Sequence, residues 1–254
     1  MNELSLFSGA GGGLLGTMLL GFRPIGYVEW DDYCQRVIAA RIRDGILPDA
    51  PIFGDIKTFI SEGYAASYTG LVDVITAGFP CQPFSVAGGQ RGEDDPRNMW
   101  PQTIECIRII RPRFAFMENV PGLLANRYIK RIFGDLAESG YDARWCCLSA
   151  SQIGAPHIRE RVWLLAYPAE KRWNVQDDSA PIKTTRECLP YQFKSGCGWK
   201  RETCGHSMER VGWSFESDIR GSDDAVAAGM DRLAAIGNGQ VPAVVATAWR
   251  LLRG

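Results

Sequence analysis

Short apolar runs alternate with longer amphipathic ones over the first two-thirds of the chain, a pattern that βαβ units bury well and few other architectures can. Glu3–Phe7, Ile25–Glu29, Val72–Ala77 and Arg113–Met117 read as strands, and the β-branched and aromatic run Val162–Tyr167 as a later one. Leu14–Leu20, Asp31–Arg43, Met99–Ile110 and Ile129–Ser139 read as helices. The class expected is α/β, a mostly parallel sheet with helices on both faces. A chain of 254 residues, 46% of them hydrophobic, can bury one sizeable core of this kind and carry a modest insertion. The insertion begins after Pro168, where Lys171 to Arg201 is polar, basic-leaning and interrupted by Pro181 and Pro190. Regularity returns from Met230, and Val241–Leu252 reads as a helix with Pro242 in its first turn. The expected organisation is a main domain over 1–167, a variable region over 168–229 and a segment over 230–254 that returns to the main domain.

Several function classes are excluded at this level. Met1-Asn2-Glu3 runs straight into Leu4-Ser5-Leu6-Phe7 without a basic leader, and nowhere do about eighteen apolar residues follow one another. A soluble, cytoplasmic protein with no membrane partner is expected. Cys34, Cys81, Cys106, Cys146, Cys147, Cys188, Cys197 and Cys204 are then expected to be mostly free thiols of a reducing compartment. A formal net charge of -1 is neutral evidence on nucleic acid, because phosphate affinity comes from local clusters of Lys and Arg.

The candidate chemistry lies at strand ends. Phe7-Ser8-Gly9-Ala10-Gly11-Gly12-Gly13 follows a strand and opens a helix, so Phe7, Gly9 and Gly11 are placed for a nucleotide-like cofactor at a helix N-terminus, with a bland tight turn as the alternative. The dinucleotide spacing is broken by Leu14, which stands where its third glycine belongs. Glu29 ends the second strand, suited to ribose hydroxyls, and Trp30 beside it could stack on an adenine. Asp55, after Gly54, is a second strand-end acid suited to an exocyclic amine. Each alone is more often a surface residue or a helix cap; together they argue for an adenosine-bearing cofactor.

Gly78-Phe79-Pro80-Cys81-Gln82-Pro83-Phe84-Ser85 follows the strand at Val72–Ala77. A cysteine between two prolines at the carboxyl end of a sheet strand is fixed in a stiff loop where open α/β sheets bind ligands, which argues against the usual fate of a small buried cysteine. Phe114-Ala115-Phe116-Met117-Glu118-Asn119-Val120 then delivers Glu118 to the same edge, as a helix cap or as an acid facing the substrate.

In order, Phe7–Gly13, Glu29-Trp30, Gly54-Asp55-Ile56, Gly78–Ser85, Glu118-Asn119-Val120, Gln152–Arg161 and Gly237-Asn238 resemble the motif series of DNA cytosine-5 methyltransferases. The resemblance covers nearly the whole chain outside the insertion, and implies the S-adenosylmethionine-dependent fold. It implies that Cys81 is the nucleophile that adds to carbon 6 of a flipped cytosine, that Glu118 bonds to ring nitrogen 3 and the exocyclic amine, and that Arg161 orients the base while Arg159 supports the loop and phosphate. S-adenosylmethionine would be held by Phe7, Gly9, Gly11, Glu29, Trp30, Asp55, Ile56, Pro80, Trp100 and Asn238. Gln82, Ser85 and Arg97 would contact DNA, the last from a glycine-rich loop over 87–97 suited to a lid.

Two departures stand out against that pattern. His157 occupies a place where many members carry glutamine, and is read as a polar support. Gln240 stands where valine is common, so Asn238 transfers better than its neighbours. By the same resemblance residues 1–167 would be the catalytic and cofactor-binding domain and 168–229 the target-recognition region. There seven basic residues between Lys171 and Arg201 stand against Asp177, Asp178 and Glu187. No metal is expected: Cys188, Cys197, Cys204 and His206 crowd this region without a Cys-x-x-Cys pair.

Double-stranded DNA is the expected partner, a restriction endonuclease a further one, and the protein is expected to act as a monomer. An RNA cytosine-5 methyltransferase is the first rival, disfavoured by the sizeable insertion. A DNA-binding relative without activity is disfavoured by the intact set of Cys81, Glu118 and Arg161. A nicotinamide dehydrogenase is disfavoured by Leu14 and the Pro-Cys loop.

Overall fold

The computed structural model describes residues 1–80, 97–125, 128–155, 157–170 and 239–254, all within one compact unit. Seven strands form a single sheet: β1 (Asn2–Leu6), β2 (Arg23–Val28), β3 (Ile52–Phe53), β4 (Val74–Ala77), β5 (Phe114–Asn119), β6 (Tyr141–Ser149) and β7 (Glu160–Pro168), in the order β3-β2-β1-β4-β5-β7-β6. The first five are parallel, while β7 runs antiparallel to β5 and β6 antiparallel to β7. The strand order reverses between β1 and β4. Consecutive connections therefore leave in opposite directions there and open a crevice beyond the carboxyl ends of both strands.

The helices are α1 (Gly12–Met18), α2 (Asp32–Arg43), α3 (Ile56–Ser61), α4 (Tyr64–Ser67), α5 (Trp100–Ile110), α6 (Gly122–Ala125), α7 (Tyr128–Glu138) and α8 (Pro242–Arg253). Strand alternation sorts them onto two faces. Leu4, Leu6, Ile75, Ala77, Ala115 and Met117 pack with Ile56, Phe59, Ile107, Ile132 and Leu136, which places α3, α5 and α7 on one face. Phe114, Phe116, Trp163 and Val74 pack with Val244, Val245 and Trp249 on the other. Trp249 anchors α8 there, with its ring edge-on to Phe22 at 4.9 Å and to Phe114 and Phe116 at 5.3 Å. Such aromatic pairs add about 0.5–1.5 kcal/mol each beyond area burial.

The first turns of α1 and α8 approach more closely than side chains allow. A Cβ on Gly12 would stand 2.5 Å from the Gln240 carbonyl oxygen, and one on Gly16 would stand 2.5 Å from Val245 Cβ. These two glycines serve helix packing. The sequence reading placed Phe7, Gly9 and Gly11 at a cofactor with a tight turn as the alternative; of the same stretch, Gly12 is taken up by helix packing.

The expected strands and long helices are present with ends moved by no more than two residues. Among the described residues β6, α3, α4, the short α6 and a 3-10 helix over Ala150–Ile153 were not expected from sequence. No helix among the described residues is long and apolar enough to cross a membrane. Cys34, Cys106, Cys146 and Cys147 are free thiols.

Candidate active site

After β1 the chain turns sharply. Phe7 has a left-handed backbone (φ 55), a conformation that costs a non-glycine residue on the order of 1 kcal/mol and survives only where surroundings enforce it. Gly9 (φ 54) and Gly11 (φ 84) take the same region without penalty. The turn is pinned from β2 and α2. Gly9 N donates to Glu29 Oε2 at 2.6 Å, Arg41 Nη1 donates to the Ala10 carbonyl at 2.5 Å, and Gly11 N donates to Ser8 O at 3.0 Å. Glu29 Oε1 also accepts from Asp31 N at 2.9 Å. Burial pushes the Glu29 carboxyl up, and the N–H donors of Asp31 and Gly9 oppose it. A carboxylate has roughly four lone-pair sites, so capacity for ribose hydroxyls remains beside these two bonds.

Beyond Phe7 a cavity of about 420 Å³ opens between the ends of β1, β2 and β4, lined by Val28, Trp30, Asp55, Ile56, Pro80 and Met99 among others. Trp30 is 73% exposed, an unusual setting for so large an apolar ring and one that suits stacking on a flat ligand. Asp55 caps α3, its Oδ1 accepting from Lys57 N at 3.0 Å, so Oδ2 is left for a ligand amine. Arg97 borders the same cavity.

Trp100, expected on this wall, is not there. It is 1% exposed, its indole Nε1 donates to Asp135 Oδ2 at 2.7 Å, and its ring packs 5.6 Å from Phe79. The first turn of α5 directs that ring into the core and leaves Met99 to line the cavity.

A narrower cavity of about 60 Å³ leads from the glycine turn past Thr76 and Gly78 to Glu118, with Gln240 on its wall. Glu118 is nearly buried, and Arg161 Nε holds its Oε1 at 2.8 Å. Arg161 is fixed in turn by a bond from Nη1 to the Glu160 carbonyl at 2.7 Å. Burial pushes the Glu118 carboxyl up, while the charges of Arg161 and Arg159 and a hydrogen bond from the Gln240 side chain pull it back. Glu118, Arg159 and Arg161 are thus brought together. β5 and β7 pair antiparallel at this point, with Glu118 opposite Trp163 and Asn119 opposite Val162.

Asn119, also buried, donates from Nδ2 to the Phe79 carbonyl at 3.1 Å, tying β5 to the root of the Pro80-Cys81 loop. Cys81, Gln82, Ser85 and Asn238 lie outside the described residues, as do Cys188, Cys197, Cys204 and His206. Among the described residues no group of His, Cys, Asp and Glu is arranged to hold a metal ion. Sequence reasoning gave no role to Arg41, Met99, Asn119 or Gln240. Asn119 lay inside a motif already singled out and Gln240 was noted only as a departure, whereas Arg41 carried no signal, since any basic residue on α2 could face solvent.

The profile of the family described as C-5 cytosine-specific DNA methylase matches residues 1–198. The chain belongs to this family. Among curated members it is 32% identical to the type II methyltransferase M.NgoMIV of Neisseria gonorrhoeae, over 78% of this chain and 62% of that one. It is 35% identical to the type II methyltransferase M.NaeI of Lentzea aerocolonigenes, over 65% of this chain and 40% of that one. The chain therefore spans between two-fifths and about three-fifths of the length of these two methylases. Among solved structures, an E. coli prophage-encoded protein assigned as a DNA modification methyltransferase matches with a TM-score of 0.52 and 27% identity, over 67% of this chain and 47% of that one. The S. pombe Dnmt2 methyltransferase, 22% identical, shares the fold with a TM-score of 0.51 over 66% of this chain and 51% of its own.

Proposed function

We propose that this protein transfers a methyl group from S-adenosylmethionine to carbon 5 of a cytosine flipped out of duplex DNA, through a covalent bond between Cys81 and carbon 6. The observation that carries the reading is the buried Glu118 carboxyl, held by Arg161 at 2.8 Å one strand away from the root of the Pro-Cys loop, in a chain of the methylase family.

The residues present fit the cofactor. The larger cavity offers an aromatic face in Trp30, a carboxylate oxygen in Asp55 and apolar walls in Ile56 and Pro80, which suits an adenosine. The glycine turn at the start of α1 leads from it towards Glu118. S-adenosylmethionine supplies an electrophilic methyl group on sulfur.

Carbon 5 of cytosine is a poor nucleophile. Addition of the Cys81 thiolate to carbon 6 makes an enamine whose carbon 5 can take the methyl group; loss of the carbon 5 proton and expulsion of the thiolate then restore the ring. Glu118, whose carboxyl is raised by burial, can give ring nitrogen 3 a proton as sulfur adds and recover it as sulfur leaves. Arg161 fixes the acid and presents further guanidinium donors to the base carbonyl. Flipping the base costs a few kcal/mol of stacking and pairing, which the DNA contacts of residues 168–229, the proposed target-recognition region, would offset.

The reading is tested by tritiated methyl transfer to duplex DNA and, in parallel, to tRNA. Wild-type protein is expected to label DNA, Cys81→Ala to label nothing while still binding S-adenosylmethionine, and 5-fluorocytosine in the target to trap a covalent adduct at Cys81. Undiminished activity of Cys81→Ala, or labelling of tRNA alone, overturns it. Bisulfite sequencing of plasmid from expressing cells then identifies the target sequence.

A further inference from the structure

Gln240 takes an unusual course through the site. Its backbone is pressed against Gly12, whose absent Cβ leaves room for the Gln240 carbonyl, and α8 begins two residues later, anchored by Trp249. With the backbone so fixed, the side chain runs between two further glycines. A Cβ on Gly13 would overlap Gln240 Oε1, and a Cβ on Gly78 would lie 2.9 Å from Gln240 Nε2 and 3.5 Å from Glu118 Oε2. The passage exists only because both positions lack side chains. At its far end the amide faces the Glu118 carboxyl, and its interaction there opposes the effect of burial on that acid. An ionised carboxylate only accepts, so the amide must present Nε2, and Nε2 and Glu118 Oε2 both border Gly78, 2.9 and 3.5 Å from where its Cβ would stand.

We infer that Gln240 is a positioning residue for Glu118: threaded between Gly13 and Gly78, its amide holds the second carboxyl oxygen while Arg161 holds the first, and so fixes the angle at which the acid meets the base. The inference rests on the proposed methyl transfer and deepens it. A valine at position 240 could fill part of the passage but could not donate. The charged groups that face Glu118 are Arg161 and Arg159; Gln240 is its neutral partner. A donor to the charged form favours ionisation, so Gln240 offsets part of the effect of burial and keeps the proton of Glu118 exchangeable near neutral pH. A mere space-filler would do none of this.

The test compares wild type with Gln240→Met, which keeps the length and loses the donor. The Glu118 carboxyl is titrated by 13C NMR in glutamate-labelled protein, its resonance assigned through Glu118→Gln, and the pH profile of kcat and the KM for S-adenosylmethionine are measured on duplex DNA. Loss of a donor to a charged group is expected to move the Glu118 midpoint up by about one pH unit and to lower kcat about tenfold. The pH limb governed by Glu118 is expected to move the same way, with the cofactor KM within about twofold, because the adenosine contacts lie in the other cavity. Should Gln240→Met fail to fold, Gly13→Ala displaces the amide from the opposite side and must produce the same upward shift. A folded variant whose Glu118 midpoint and pH profile match wild type overturns the inference alone. A wild-type chain that methylates no cytosine overturns the reading on which it rests, whatever the titration shows.

Discussion

Asn119 joins the strand of Glu118 to the end of β4: its Nδ2 donates to the Phe79 carbonyl at 3.1 Å while its own Oδ1 accepts from Val120 N at 2.9 Å. One amide thus sets the separation between Glu118, the preceding residue on β5, and Phe79, just before Pro80. Asn119→Ala is expected to leave the Phe79 carbonyl unsatisfied, at about 1–3 kcal/mol of stability, and to lower kcat by about 100-fold through misplacement of the loop. Urea unfolding and single-turnover methylation check the two parts. A kcat within twofold of wild type would show that the loop is held by other means.

Arg161 contributes directed donors as well as charge, since Nε faces Glu118 and Nη1 faces the Glu160 carbonyl. Lysine supplies one compact ammonium whose donors are not held in a fixed planar fork. Arg161→Lys is expected to reduce kcat by at least about tenfold and to leave the dissociation constant of S-adenosylmethionine unchanged, measured by stopped-flow turnover and calorimetry.

Glu3, on β1, is fully buried between α1 and β4, and Thr17 Oγ1 and Thr76 Oγ1 each lie 2.6 Å from its carboxyl oxygens. Thr17 Oγ1 also lies 3.0 Å from the Leu14 carbonyl. A hydroxyl has one proton, so when Thr17 donates to Leu14 the carboxyl must donate to Thr17, and Glu3 is then neutral. Burial pushes this carboxyl up from 4.5 to about 7. Because the folded value is the higher one, the folded chain holds a proton that the unfolded chain releases. Stability from this source is complete below about 4.5, declines as pH rises, and is gone above about 7. Glu3→Gln, which mimics the neutral form and can donate to Thr17, is expected to stabilise the protein by on the order of 3 kcal/mol at pH 8 and by little at pH 4.5. Urea midpoints at the two values decide the matter.

Gly16 lies against Val245 and the Pro242 carbonyl, where a Cβ would come within 2.5 and 2.7 Å of Val245 Cβ and the Pro242 oxygen. Alanine favours a helix by about 1 kcal/mol, so propensity alone predicts that Gly16→Ala stabilises. Overlap with backbone should win, giving a net loss of about 1–3 kcal/mol and weaker cofactor binding as α8 shifts. Thermal unfolding with and without S-adenosylmethionine measures both effects.

The parallel half of the sheet was legible because β1, β2, β4 and β5 are buried apolar runs, and α2, α5 and α7 are long enough to show a helical period. Edge strand β6 was not. Its Tyr-Asp-Ala-Arg-Trp-Cys-Cys-Leu-Ser sequence alternates poorly, and Trp145 faces outward at 42% exposure. Helices α3 and α4 span 6 and 4 residues, too few to establish a period. In the site, Glu118, Arg159 and Arg161 were legible as motif residues, since a strand-end position fixes which edge a side chain reaches. Which way an N-terminal helical residue turns is settled by packing, so Trp100 was expected on the cavity wall and Met99 is found there. Contacts distant in sequence, such as Gln240 with Glu118 or Arg41 with Ala10, leave no local trace.

The seam between α1 and α8 also bears on when the protein becomes competent during synthesis. A ribosome that has released the chain only through β7 has already made the strands that carry the acid and its arginine. The flank supplied by Gln240 is still untranslated, so water reaches Glu118 from that side. That side of the cavity is walled only once α8 has docked along the glycines of α1.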